Sequence, residues 1–338
     1  LIVIPYLARL YPDSILVSLI KEDMVRYVFI SNLIASIVTL ILLIPEIKSH
    51  PLIFKSSTLK NVLLYSFPLL IAGLAGSINE VFDRVLLKYF TVIPTDINNK
   101  NDYVLNQLGI YGANFKLSVI IQLFIQAFRY SFEPFFFKHD KNNGDKKVYA
   151  DIMKYFIIFC LVIFLLITLY IDYFKMFIGK DYYDGIGIVP IVLLANIFLG
   201  IMFNLSIWYK VSNKTSFGAW VTIFGSILTI VFNILLIPYY GFFGCAWSRL
   251  ICYFGMCLLS FFVGQKYFYI QYDLKSIALY FLIAISLFLV SDYLIINSFL
   301  LKTVMNSLLF LSFLSVIIVK ENVIKKIKLR FFSLMVAM

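Results

Sequence analysis

Long apolar runs alternate with short polar connections along the whole chain. Each run is close to the twenty or so residues that a helix needs to cross a hydrocarbon core of roughly 30 Å. The runs cover residues 25–44 (closed by Pro45), 59–90 (with an apolar body at 62–78), 108–137, 155–171, 186–208, 217–237, 244–263, 277–294 and 304–319. The pattern therefore predicts nine whole spans. A partial one precedes them, since residues 1–12, LIVIPYLARLYP, are too short and too proline-broken to cross alone. The connection PYYGFFG between two of the runs is so short that its flanking helices must be antiparallel neighbours. The fold class expected is an all-α, polytopic transmembrane helix bundle.

Two of these helices carry polar groups where lipid would penalise them. In LKNVLLYSFPLLIAGLAGSINEVFDRVLLKYF, a 3.6-residue period puts Ser66, Gly73, Gly76, Glu80, Asp83 and Arg84 on one side, which must face protein or a wet cavity. Gly73 and Gly76 read as a close helix-packing face. Pro68 interrupts the hydrogen-bond ladder and predicts a hinge. In the run 108–137, Gln122, Gln126, Arg129 and Glu133 form a polar stripe, with Lys116 about a third of a turn away.

Glu133 with Arg129, and Glu80 with Arg84, have the spacing of pairs that neutralise each other within a helix. Charge arithmetic points the other way. The cations Arg84, Lys88, Lys116, Arg129 and Arg249 outnumber the anions Glu80, Asp83 and Glu133, and an unbalanced positive interior favours an anionic ligand. Asn196, Asn204, Ser206 and Asn233 are equally suited to lining a cavity or to bonding between helices.

Composition narrows the class further. A mean hydropathy of +0.93, with 62% hydrophobic and 14% charged residues, excludes a soluble globular protein of 338 residues. The net charge of +11 is distributed by topology: the connections at 46–60, 138–154, 209–216, 264–276 and 320–330 hold the Lys and Arg excess, while the alternate set is slightly negative. The positive-inside rule makes the first set, and the C-terminus, cytoplasmic. The charge thus reflects membrane topology and anionic lipid, not nucleic acid. Cys160, Cys245, Cys252 and Cys257 lie inside apolar runs without CxxC spacing and read as packing residues, and His50 and His139 sit in separate polar loops with no ligand-like neighbours. No metal, cofactor or catalytic set is indicated, so an enzyme is not expected.

Three segments carry a resemblance. LLYSFPLLIAGLAGSINEVFDRVLLKYF, LGIYGANFKLSVIIQLFIQAFRYSFEPFFFK and IVPIVLLANIFLGIMFNLSIWYKVSNKT resemble the oligosaccharide flippases of bacterial polysaccharide biosynthesis, in the multidrug, oligosaccharidyl-lipid and polysaccharide exporter superfamily. The resemblance implies a two-lobed exporter fold in the bacterial inner membrane that moves isoprenoid-diphosphate-linked oligosaccharide by alternating access. Residues 1–45 would then end the N-terminal lobe and 46–60 would be a cytoplasmic linker. Residues 61–265 would form a complete six-helix C-terminal lobe, 266–320 the final helix pair and 321–338 a basic cytoplasmic tail.

The front of that pattern is missing and the chain begins with Leu1 inside an apolar stretch, so the sequence reads as lacking its own start. In this reading Arg129 and Arg84 engage the diphosphate, Lys116 and Lys88 supply field, and Gln122 and Gln126 offer polar surface to sugars. The partners expected are the lipid-linked oligosaccharide, membrane lipids and other polysaccharide-assembly membrane proteins. A cation-coupled multidrug exporter of the same superfamily is the first alternative, and would line its cavity with net negative charge. A polytopic ligase or polymerase acting on lipid-linked sugars is the second, and would carry an acid or base in a large outward loop.

Overall fold

The computed structural model describes residues 24–49, 55–95, 99–141, 145–212, 214–294 and 298–321. The expected partial span, His50 and nearly all of the basic tail lie outside them. Ten long helices account for most of the described chain: α1 (Met24–Ser49), α2 (Ser56–Phe90), α3 (Lys100–Leu117), α4 (Val119–Lys141), α5 (Lys147–Leu169), α6 (Ile188–Leu205), α7 (Ser216–Tyr240), α8 (Phe242–Tyr267), α9 (Leu274–Tyr293) and α10 (Phe299–Lys320). Short helical turns at Ile171–Phe174, Lys175–Phe177 and Lys180–Gly185 lead into α6, and Ile207–Val211 extends it. Helices are what an apolar solvent demands, because each satisfies its own backbone polar groups. Among the described residues seven helices are long and apolar enough to cross a membrane, and α3 with α4 makes an eighth if the bent pair is one span.

Three expectations change in detail. The run 108–137 is not one helix but two, α3 and α4, bent by 49°. At the break, Ser118 donates its backbone N–H to the Phe115 carbonyl at 3.0 Å and its hydroxyl to the same oxygen at 2.7 Å. A three-residue turn thus replaces the four-residue ladder, which turns the axis. Pro45 does not close α1 but lies within it, and α4 and α7 likewise run through Pro134 and Pro238. Such interruptions are tolerated in membrane helices because one lost donor does not break the remaining ladder. His139 belongs to the end of α4 rather than a loop, where its ring stacks on Phe135 and its Nε2 meets the Asp145 carbonyl at 3.0 Å.

By compactness the chain divides into Leu1–Leu63 and Leu64–Met338, a division that falls inside α2, one turn before Pro68. In the larger unit α5 and α6 are the most buried spans and α10 the least. Leu161, Phe164, Leu165, Val189, Leu193 and Ile197 form the solvent-free centre. α8 packs against both α6 and α7, and α9 and α10 pack against α5.

Close helix approach is made by glycines other than the expected pair. A side chain at Gly200 would strike the Phe156 ring, and one at Gly225 would strike Met256. Gly73 has nothing within 4 Å of a Cβ, and Gly76 has only a Thr222 methyl at 3.9 Å, so the small face expected to pack is instead open. The tight connection between α7 and α8 turns on Gly241, whose φ of 53° is the left-handed region that glycine adopts without strain.

Candidate functional site

The polar side of α2 separates into two environments. Toward α3 and α8 it is dry. Asp83 and Arg249 are 2% and 3% exposed, and Arg249 donates to the Asp83 carboxylate through Nη2 at 2.7 Å and Nε at 3.2 Å. Tyr111 donates its hydroxyl to the same carboxylate at 2.6 Å. The Arg249 fork also reaches the Glu80 carbonyl at 2.7 Å and the Tyr253 hydroxyl at 3.2 Å. A buried ion pair is tolerable only when its remaining donors and acceptors are matched in this way. Above it, Asn79 is bound by Thr229 at 3.1 Å and donates to the Thr222 carbonyl at 3.3 Å, while Ser226 donates to the Ala75 carbonyl at 3.0 Å. These bonds fasten α2 to α7 and α8.

One turn away α2 faces space. Gly73, Gly76, Ser77 and Glu80 line a cavity of about 350 Å³ with Arg129 of α4, Met202 and Phe203 of α6, Tyr209 and Lys210 beyond it, and Tyr253 and Met256 of α8. The bareness of the two glycines is what opens this wall. Arg129 is half-buried, its guanidinium 4.8 Å from the centre of the Phe203 ring and 5.7 Å from that of Tyr130, and it makes no ion pair among the described residues. Glu80 is exposed, and its carboxylate has no ion pair among them either.

The within-helix pairing that local spacing allowed is not formed. Glu133 takes Lys210 at 2.7 Å, across helices, and leaves Arg129 free of it. Lys210 escaped the sequence reading because, two residues past the run 186–208, it was counted as a cytoplasmic loop charge. Its only sequence signal is its place at the end of a span rich in Asn and Ser.

The other expected site residues are dispersed. Arg84 is not among the residues lining this cavity; its guanidinium stacks over Phe115 at 4.6 Å and Tyr111 at 5.9 Å. Lys88 and Lys116 are exposed. Gln122 bonds Asn196 at 3.2 Å and Gln126 bonds the Tyr130 hydroxyl at 3.2 Å, so the stripe on α4 contributes Arg129 and not its glutamines to the lining. Asn204 returns its amide to the Gly200 carbonyl at 3.1 Å, a contact within its own helix. The four cysteines are buried and unpaired with one another.

The bundle has a charged cavity between α2, α4, α6 and α8, with α9 and α10 packed against α5, and by likeness to a solved structure its fold is a transporter fold. The chain is similar to the solved structure of lipid II flippase MurJ in its inward closed conformation, with a TM-score of 0.61 and 18% sequence identity over 90% of this chain. It covers 64% of the MurJ chain, so it spans a little less than two thirds of that protein's length. No protein-family model matches the chain, and no curated protein does.

Proposed function

We propose that this chain belongs to a two-lobed flippase that moves isoprenoid-diphosphate-linked oligosaccharide across a bacterial inner membrane by alternating access, with its C-terminus in the cytoplasm. The observation that carries the reading is Arg129: a guanidinium without an ion pair among the described residues, resting on aromatic rings at the wall of a cavity, in a fold similar to that of a lipid II flippase.

A guanidinium can grip phosphate oxygens through two parallel hydrogen bonds. Lys210, held nearby by Glu133, adds a second cation at the same wall, while the lipid tail can stay in the bilayer. Arg84, Lys88 and Lys116, which lie off the cavity wall, contribute long-range positive field, and Pro68 is the hinge on which α2 swings. The chemistry is transport rather than catalysis, with lipid-linked sugar, membrane lipid and the other membrane proteins of polysaccharide assembly as partners. On this wall Arg129 and the Glu80 carboxylate are the charges without an ion pair among the described residues, Lys210 being matched by Glu133. It is therefore the two-bond geometry of the guanidinium, rather than net charge, that favours a diphosphate over the cations that a drug exporter carries.

The test is binding of an isoprenyl diphosphate bearing a fluorescent sugar, measured on the purified protein beside thermal unfolding. Arg129→Ala is expected to lose binding without loss of fold, with Arg129→Lys in between. Unchanged binding by Arg129→Ala overturns the reading, and tighter binding of a lipophilic cation than of the diphosphate turns it into a drug exporter.

A further inference from the structure

A second cavity of about 350 Å³ lies well away from the first, where four helix ends meet. Thr168 and Leu169 close α5, Gly187 and Pro190 open α6, Ser291 and Asp292 close α9, and Lys302 lies in the first turns of α10. All four ends belong to one side of the bundle. Since each helix is about as long as the hydrocarbon core is thick, its ends, and this cavity, sit at the level of lipid headgroups.

The charges there are separated in a definite way. Asp172 accepts hydrogen bonds from both Lys175 and Lys302, the latter at 2.6 Å. Burial opposes ionisation of Asp172, but these two bonds outweigh it and hold its carboxyl below the usual range. One carboxylate between two ammonium groups leaves a surplus positive charge, and Lys302, on the cavity wall, keeps donors to spare. Asp292, on the same wall, is exposed and makes no ion pair among the described residues.

The buried hydroxyls and amides around the site are already matched. Ser291 donates to Asn306 at 2.7 Å, and Asn306 in turn donates to the Leu169 carbonyl. The remaining lining, with Ile171, Ile186 and Phe288, is apolar. The cavity thus offers one surplus cation, one free carboxylate and an apolar wall at headgroup depth.

We propose that this cavity binds a zwitterionic phospholipid with a primary ammonium, a phosphatidylethanolamine, its phosphate on Lys302 and its ammonium on Asp292. An anionic lipid would satisfy Lys302 but meet repulsion from Asp292, and a quaternary ammonium lacks the N–H donors that a carboxylate takes up. The lipid would wedge the final helix pair against the ends of α5 and α6. The inference does not rest on the transport reading.

The experiment uses the purified chain with a phosphatidylethanolamine carrying a diazirine in its acyl chain close to the glycerol, with cross-linked peptides mapped after photolysis. Cross-links are expected at 168–171 and 286–294, displaced by unlabelled phosphatidylethanolamine about tenfold better than by phosphatidylglycerol of the same acyl chains. Asp292→Asn is expected to erase that preference. It leaves the fold intact, because Asp292 holds no ion pair there. Lys302→Gln is expected to lose the cross-link while Lys175 keeps Asp172 paired. Cross-links mapping elsewhere, equal displacement by the two lipids, or an unaltered preference in Asp292→Asn overturns the proposal. Displacement by an isoprenyl diphosphate in preference to phosphatidylethanolamine also overturns it, and assigns the cavity to the transport route.

Discussion

Arg249 and Arg129 are the same residue type inside one membrane bundle, and they are held in opposite ways. Arg249 is enclosed, with its fork divided among a carboxylate, a backbone carbonyl and a tyrosine hydroxyl. Arg129 lies on a cavity wall with aromatic faces against it and no ion pair among the described residues. The first has spent its donors on the fold, and the second has kept them. A guanidinium costs free energy to desolvate in either place, so its use is read from what it touches rather than from its presence in a span.

The sharpest way to break this contrast is to truncate both. Arg249→Ala leaves the Asp83 carboxylate buried without its cation and is expected to destabilise the protein by about 3–5 kcal/mol. It should appear as loss of folded protein in detergent, and pairing it with Asp83→Asn should return much of the loss. Equal stability of wild type and Arg249→Ala would mean that the pair does not hold α2 to α8. Arg129→Ala is expected to leave unfolding within about 0.5 kcal/mol of wild type. It should nevertheless weaken a diphosphate ligand by the worth of a charge-assisted bond, about 1.5–3 kcal/mol, or roughly ten- to a hundredfold.

A smaller effect sharpens the picture at the far end of α10. Glu321 accepts from Lys154 at 2.9 Å, Tyr280 at 2.9 Å and Tyr155 at 3.3 Å. Burial opposes its ionisation, yet the bonds from Lys154 and Tyr280 outweigh burial and hold its carboxyl below the ordinary glutamate value of 4.5. A depressed folded value means that the stabilisation is fully present above pH 4.5 and fades as pH falls through the lower folded value. Glu321→Gln should flatten that part of the acid unfolding curve, and an unchanged curve would show that the bonds to Glu321 carry no stability.

The smallest effect belongs to Glu133 and Lys210, whose side chains are 32% and 28% exposed. A double-mutant cycle on thermal unfolding is expected to give a coupling of about 1 kcal/mol or less. A much larger value would make this pair a structural lock like Arg249, and would weaken its claim to be part of the cavity's charge.

Residue order and hydropathy alone were enough for the helical, membrane-spanning character of the chain and for the approximate place of eight of the nine expected spans, since the cost of exposing a backbone to lipid is local and is written in runs of about twenty residues. The exception is α2, which is not among the described helices found long and apolar enough to cross. The polar side of α2 and the stripe on α4 were legible for the same reason: a 3.6-residue period needs only neighbouring positions. The partners of those polar groups were not. Asp83 and Arg249 are 166 positions apart, and Glu133 and Lys210 are 77 apart. Local spacing had offered Glu133 a basic neighbour one turn away in Arg129, but the assembled bundle supplied Lys210 from another helix, and Asp83, with no such neighbour, took Arg249. The break at Ser118 was equally silent, because a serine in an apolar run bends a helix only when its hydroxyl turns back on the backbone. Whether Gly73 and Gly76 are a packing face or a cavity wall depends on what stands opposite them, and only the tertiary structure, by setting Thr222 at a distance and Arg129 across the gap, decided that.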